Sequence, residues 1–304
     1  MFTSSKLLLF FIGSVFRFLC SLRCLPVARC AGVVFTVGAV ASALASEPRT
    51  TLFFDLNNAA PEIIAVRAAL AEQGLGGRLI VVPSAHRFPA LRRTEIFASQ
   101  ARLNAAQVRA LDCTKDDGSN GCQRVWAELR ELELARLETT GSYGIGELME
   151  DIQQEVVDIR ANIDMVLISG HHSGGYFGGE ISRLEVMDLQ TLNAVFPTVF
   201  QNVRSVLLLG CETASQQMVR DVFAPLFPSA RVIMGSEGVA PVRDDPRNLR
   251  FVRAAVLAQP TLTAARNVGD ASRVYRKLQR QPWPVALLWN REHYFARMSH
   301  PAMP

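Results

Sequence analysis

Met165-Val166-Leu167-Ile168-Ser169-Gly170-His171-His172-Ser173-Gly174 and Val206-Leu207-Leu208-Leu209-Gly210-Cys211-Glu212-Thr213 are the two stretches whose reading decides the fold. Each opens on an apolar run too short for a helix and too continuously apolar for a strand with one face in water. That is the pattern of a strand buried on both faces of a parallel sheet. Each run ends in a glycine followed by a reactive side chain. About forty residues separate His171 from Cys211, room for one crossover through a helix, and parallel neighbours joined that way end on the same edge. An imidazole and a thiol are therefore expected side by side at the carboxyl edge, where open α/β sheets build their sites.

Upstream, Thr51-Leu52-Phe53-Phe54-Asp55-Leu56 reads as the first strand. Pro61 and Glu62 open a helix with Ile63, Val66 and Leu70 on one face, and Gly74 closes it. Leu79-Ile80-Val81-Val82, ended by Pro83, is the second strand, and a strand–helix–strand start implies a parallel sheet. His86 beyond it reads as a loop residue rather than a ligand. From about 94 to 161 the pattern turns helical and charged, with Leu129 and Leu132, then Leu148, Ile152, Val156 and Ile159 at helical spacing. This is a helical insertion or covering layer without strand signal.

Between the two reactive stretches, Tyr176-Phe177-Gly178-Gly179 reads as a turn. Leu192, Val195, Phe196, Val199 and Phe200 recur at i, i+3, i+4, i+7 and i+8 on one covering helix, which Pro197 is expected to kink or shorten. Beyond Cys211, Thr213-Ala214-Ser215-Gln216 has capping-box spacing and opens a helix running toward Phe223 and ending before Pro225. Its positive end is expected within a turn of Cys211. Val232-Ile233-Met234 is the next strand; helices through Leu249–Leu257 and Ala271–Leu278 and a strand at Val285–Leu288 follow.

With 304 residues, 49% of them hydrophobic and 20% charged, the chain has the composition of a globular protein with a sizeable core. Its formal charge of +4 comes from Lys6, Arg17, Arg23 and Arg29; 32 basic residues less these four leaves 28 against 28 acids. The remainder is neutral, which argues against nucleic acid as a partner. Residues 1–46 carry those basic residues, an apolar run from Cys30 to Ala45 and the small-residue end Ala41-Ser42-Ala43-Leu44-Ala45-Ser46, the pattern of a cleaved secretory signal. A second apolar run, Leu7 to Leu19, lies ahead of it, so the leader reads as a signal peptide or, if retained, an N-terminal membrane anchor. Either way the body, 47–304, is expected in the periplasm or outside the cell.

Cys20, Cys24 and Cys30 belong to the leader. Of the other three, Cys113 and Cys122 flank a polar, turn-rich loop that can bring them together as a disulfide in an oxidising compartment. Cys211 is left unpaired, beside the histidine strand. A thiolate is a strong nucleophile, and both an imidazole and a helix N-terminus favour it over the thiol. His171 can protonate a leaving amine, while the N–H of Cys211 and one from the His172–Gly175 turn, where Gly174 permits close approach, can hold an oxyanion.

Ile168-Ser169-Gly170-His171 with Ser173-Gly174, followed by Leu207-Leu208-Leu209-Gly210-Cys211-Glu212-Thr213, resembles the His block and Cys block of the caspase-like (clan CD) cysteine peptidases, especially the separase and CHAT-type branch. The resemblance covers about 160–240, with a catalytic unit at about 162–240. It implies a three-layer α/β/α fold with a mostly parallel central sheet, and an endopeptidase that needs no cofactor or metal and takes a protein or peptide substrate. Carried over, His171 is the general acid/base and Cys211 the nucleophile. The residue after the family's histidine is usually glycine and here is His172, which stands as the reserve base. Family members often put a charged residue in the substrate pocket, and Glu237, Asp244 or Asp245 could prefer a basic side chain there. The alternatives are a degenerate caspase-like domain that binds without cleaving, a serine hydrolase using Ser173 with His293, and a zinc site of His171, His172 and Cys211.

Overall fold

The computed structural model describes residues 50–74, 78–113, 120–140, 143–173, 175–279 and 285–295. The leader and Gly174 lie outside them. Along the first half run β1 (Thr50–Asp55), α1 (Ala60–Glu72), β2 (Arg78–Val82), α2 (Ala90–Cys113), α3 (Asn120–Thr140) and α4 (Ile145–Ile152), the last continued by a π-helical turn, Gln153–Val157. Then come β3 (Ile163–Ser169), β4 (His171–Ser173), β5 (Tyr176–Gly178), β6 (Arg183–Glu185), α5 (Val186–Val195), α6 (Pro197–Gln201) and β7 (Ser205–Leu209). The chain goes on through α7 (Gln216–Met218), a π-helical turn Val219–Phe223, α8 (Ala224–Leu226) and β8 (Val232–Ser236). It finishes with α9 (Pro246–Ala264), α10 (Val268–Leu278), β9 (Val285–Trp289) and β10 (His293–Phe295).

The central sheet has seven strands in the order β10-β9-β8-β7-β3-β1-β2. From β2 to β8 all neighbours are parallel, whereas β9 and β10 are added antiparallel. The chain steps from β1 to β2 in one direction and to β3 in the other, so the order reverses between β1 and β3. Outside such a reversal the loops diverge and leave a crevice at the carboxyl ends.

Alternation along the strands makes this a three-layer α/β/α protein. Leu52 and Phe54 of β1 pack with Leu148, Ile152, Leu192, Phe200 and Phe223 in one apolar layer. Phe53, between them in sequence, packs on the other side with Val66, Phe251, Val252, Val256 and Tyr275. Side chains of successive strand residues point to opposite faces, which is why a continuous apolar run was needed here. Each large apolar side chain so removed from water contributes about 1.5–3 kcal/mol.

Several local expectations are corrected. Tyr176–Gly178 is a strand, not a turn, and forms a three-stranded antiparallel sheet with β4 and β6. The single covering helix is two: Phe196 leaves helical geometry at φ −121° and Pro197 starts α6, because proline lacks the N–H that would continue α5. Val195 is consequently exposed, and so is Ile159, just past the π-helical turn. The Met218 amide is capped by Ser215 Oγ at 3.4 Å rather than by Thr213, and the helical path continues through Pro225. The insertion is a hairpin of α2 and α3 followed by α4, and a Cys113–Cys122 disulfide joins α2 to the start of α3 across a Cα separation of 5.3 Å.

Candidate active site

β3 and β7 lie directly side by side with Ser169 opposite Leu209, so the two reactive stretches leave the sheet together at its carboxyl edge. Gly170 N donates to Leu209 O at 3.3 Å. A Cβ on Gly210 would stand 2.6 Å from the Gly170 carbonyl oxygen and 3.2 Å from His172 N. Only glycine lets the two exits approach this closely.

The two adjacent histidines fall on opposite sides of β4, as strand neighbours must. His171 is exposed and His172 buried. The His172 ring packs between Phe177 and Phe223, at centroid distances of 4.9 and 6.3 Å, and its Nδ1 lies 2.9 Å from Cys211 O. A carbonyl only accepts, so Nδ1 carries the proton and Nε2 is the bare nitrogen; Nε2 is buried with no partner among the described residues. Burial lowers the basicity of this imidazole, outweighing the Cys211 carbonyl and the Glu212 carboxylate, which raise it.

His171, Cys211, Gly170, Gly210, Glu62 and Arg243 are among the residues lining a cavity of about 30 Å³, room for one water. Ala240 N donates to Cys211 Sγ at 3.4 Å. The turn after the cysteine is held rigidly: Glu212 adopts a left-handed φ of 54°, its N–H reaches Gly238 O at 2.9 Å, and Ala214 N reaches Ser236 O at 2.9 Å. Thr213 Oγ1 is buried, donates toward Gly210 O at 3.1 Å and accepts from Ser236 N at 3.2 Å. A Cβ on Gly235 would meet that hydroxyl at 2.5 Å, so β8 must present glycine there.

Across the crevice, the end of β1 supplies a polar network. Asp55 accepts from Ala59 N at 2.8 Å and pairs with Arg93, fixing the turn into α1. Arg243, from the loop after β8, donates to Asn57 O and pairs with Glu180 at 2.6 Å. Glu62, on the first turn of α1, accepts from Asn248 Nδ2 at 2.6 Å through Oε1. Its Oε2 has no hydrogen-bond partner within 3.5 Å among the described residues, and neither has the nearby hydroxyl of Ser169, which is close enough to act on this carboxyl. Burial pushes the Glu62 carboxyl up to about 7 against the opposing pull of Ser169 and Asn248.

His171 also lines a second, wider cleft of about 840 Å³ that Cys211 does not border. Asp244 is on this cleft, on the imidazole side rather than beside the thiol. Glu237 borders neither space and sits near Tyr294, whose phenol burial and that carboxylate push up to about 12. Asp245 caps α9 by accepting from Arg247 N at 2.8 Å, and the Arg247 guanidinium holds its carboxyl down at about 2. Tyr143, on the cleft wall, donates to buried Asp151 at 2.9 Å.

The serine-hydrolase arrangement is excluded by topology. His293 pairs with Trp289, and Trp289 with Val232 at the start of β8, so His293 lies at the amino edge of the parallel strands, opposite to Ser173. The zinc reading also fails: His172 is committed to Cys211 O on the face away from His171, and no group of three metal-ligating side chains occurs among the described residues. Of the residues missed in sequence, Asn57 and Glu62 directly follow the first strand, the place a switch-point crevice would have pointed to. Arg243 and Glu180 carried no local signal.

No family model matches the chain, and no curated protein does. Among solved structures it is similar to the X-ray structure of an inactive zymogen C11 protease from Parabacteroides distasonis, at 12% identity and a TM-score of 0.40 over 82% of this chain. The chain spans 63% of the length of that protein; the likeness is distant, and the fold assignment stands on the topology of the sheet.

Proposed function

We propose that this chain is an exported cysteine endopeptidase of the caspase-like type, in which Cys211 and His171 act as a dyad. The observation that carries it is that these two residues, from the ends of adjacent parallel strands, line one cavity, while His172 is taken up in the core. The thiolate sulfur attacks the peptide carbonyl carbon, and the oxyanion so formed is met by the main-chain N–H of Cys211. His171, protonated, passes its proton to the leaving nitrogen as the C–N bond breaks, leaving a thioester. Neutral His171 then takes a proton from water, whose oxygen attacks the thioester and releases the carboxylic acid, restoring the thiolate and protonated His171. The separase and CHAT-type blocks are the resemblance that supports this scheme, and the leader supports export.

One observation favours a second reading, a caspase-like domain that binds without cleaving. The space at Cys211, walled by Ala240–Arg243, is about 30 Å³, far below the few hundred Å³ of an ordinary ligand pocket. Labelling of the mature protein with an electrophilic peptide probe, followed by mapping of the adduct, separates the two. Modification at Cys211 that is lost in His171→Ala supports the peptidase. An unreactive Cys211 together with no turnover on a broad peptide library supports the binding domain.

A further inference from the structure

We propose that the small cavity beside Cys211 receives the side chain just ahead of the scissile bond, and that it restricts that position to glycine or alanine. The inference rests on the cysteine-peptidase reading and deepens it to a substrate class. His171 borders both this cavity and the wide cleft of about 840 Å³, whereas Cys211 borders the cavity but not the cleft. A general acid must stand within reach of the nitrogen it protonates, so the departing half of the substrate lies on the imidazole's side, in the cleft. The acyl half, joined to the sulfur through its carbonyl carbon, then lies on the cysteine's side, and the side chain nearest that carbon turns toward the cavity. Volume sets what fits. About 30 Å³ is room for one water, and so for a hydrogen or a methyl group but not for a branched, aromatic or long charged side chain.

The walls are fastened by contacts that a larger side chain has to break. Ala240, on the lining, donates its N–H to Cys211 Sγ at 3.4 Å, and Gly238, just before it, accepts from Glu212 N at 2.9 Å. These two bonds hold the loop after β8 against the turn that follows the cysteine. At the other end of the lining segment Arg243 donates to Asn57 O and pairs with Glu180 at 2.6 Å. Both side chains of that pair are largely shielded from water, so pulling them apart leaves two poorly hydrated charges without partners, a costly way to make room. From α1, Glu62 is held by a buried hydrogen bond from Asn248 at 2.6 Å. A methyl group asks none of these contacts to yield, whereas each further methylene does. In a pocket with fixed walls one methylene changes selectivity by about 10- to 200-fold.

The test uses peptides, and matched electrophilic peptide probes, that differ only in the residue ahead of the scissile bond: Gly, Ala, Val, Leu or Arg. With the wild-type mature protein, kcat/KM for Ala is expected to exceed that for Leu and for Arg by about 10-fold or more. Two substitutions widen the cavity. Val242→Ala truncates a lining residue that is more than half exposed, so the fold tolerates it; Leu209→Ala truncates the lining residue at the end of β7. Each should raise Val and Leu substrates relative to Ala by about 10-fold. Val239→Ala, on the same loop but bordering neither space, should keep the wild-type ratios. A wild type that prefers Leu or Arg, or does not discriminate, overturns the inference, as do ratios unmoved by both widening variants. The probes keep the two failures apart. Labelling of Cys211 by the Leu or Arg probe as readily as by the Ala probe sinks the restriction to small residues alone, and no labelling by any probe with no turnover sinks the peptidase reading and this inference with it.

Discussion

His172 Nδ1 lies 2.9 Å from the carbonyl oxygen of Cys211, so the residue next to the candidate base ties the two reactive stretches together from beneath. His171, its neighbour, is exposed and borders the cavity that Cys211 also lines. The doubled histidine thereby divides into one side chain for the surface and one for the core.

That division predicts opposite phenotypes. His171→Ala should leave thermal stability nearly unchanged and slow the chemical step by about 10²- to 10⁴-fold. His172→Ala empties a space between Phe177 and Phe223 and should cost about 2–4 kcal/mol by analogy with other large-to-small core changes, with a smaller effect on turnover of the folded fraction. Chemical denaturation and single-turnover kinetics on the two variants check this, and an exchange of the two phenotypes would make His172 the base.

Glu62 predicts a pH dependence of stability. Its carboxyl is at about 7 in the folded chain against a usual 4.5, so between those values the folded state holds more protons than the unfolded one. Stability therefore falls as pH rises from 4.5 to 7, by about 3 kcal/mol in total if the unfolded value is normal. Glu62→Gln, which keeps the oxygen that Asn248 donates to, should remove that loss and be the more stable protein at pH 8. His172 acts with the opposite slope: burial lowers its basicity, so acidification below about 6.5 protonates the unfolded chain first and destabilises the fold. Denaturation midpoints from pH 4 to 8 for wild type and Glu62→Gln read both; equal curves would place Glu62 in contact with water.

Cys211→Ala should abolish turnover, and Cys211→Ser should do nearly the same, because a hydroxyl is far harder to ionise than a thiol. His171→Ala combined with Cys211→Ala should be no worse than Cys211→Ala alone, since groups acting as one unit are non-additive. Turnover that survives Cys211→Ala would remove the thiol from the mechanism.

Export should leave a mature chain beginning near Glu47, and intact mass from an extracytoplasmic fraction checks it. Thiol counting on that form, unfolded without reduction, should find one free thiol, Cys211, with Cys113 and Cys122 paired. Opening so short a loop by reduction should cost about 2 to 3 kcal/mol at most. Three thiols would refute the bridge, and a full-length cytoplasmic product would refute export.

The buried parallel strands ending at His171 and Cys211 were legible because continuous apolar runs closed by glycine have few other uses, and the Cys113–Cys122 pair because only a short polar loop separates it. The helix opened at Pro61 and the charged helical insertion were legible from spacing. The break at Phe196–Pro197 was half legible: the proline was noted, but the period ran on through it. The strand Tyr176–Gly178 was not, because three residues carry too little pattern to tell a strand from a turn, and its identity depends on pairing with His171–Ser173 and Arg183–Glu185.

By itself the sequence determined which backbone segments must be buried and which reactive side chains sit at their ends, since hydrophobic period and glycine placement are local properties of the chain. Tertiary structure alone decided the rest. Which of two adjacent histidines is buried depends on the pleat's phase relative to Phe177 and Phe223; that Glu62 and Arg243 border the same cavity depends on residues 181 positions apart being folded over one crevice. That His293 lies at the far edge from Ser173 depends on the last two strands running antiparallel. Each is a relation between distant segments, set by packing across the sheet rather than by any neighbour in the chain.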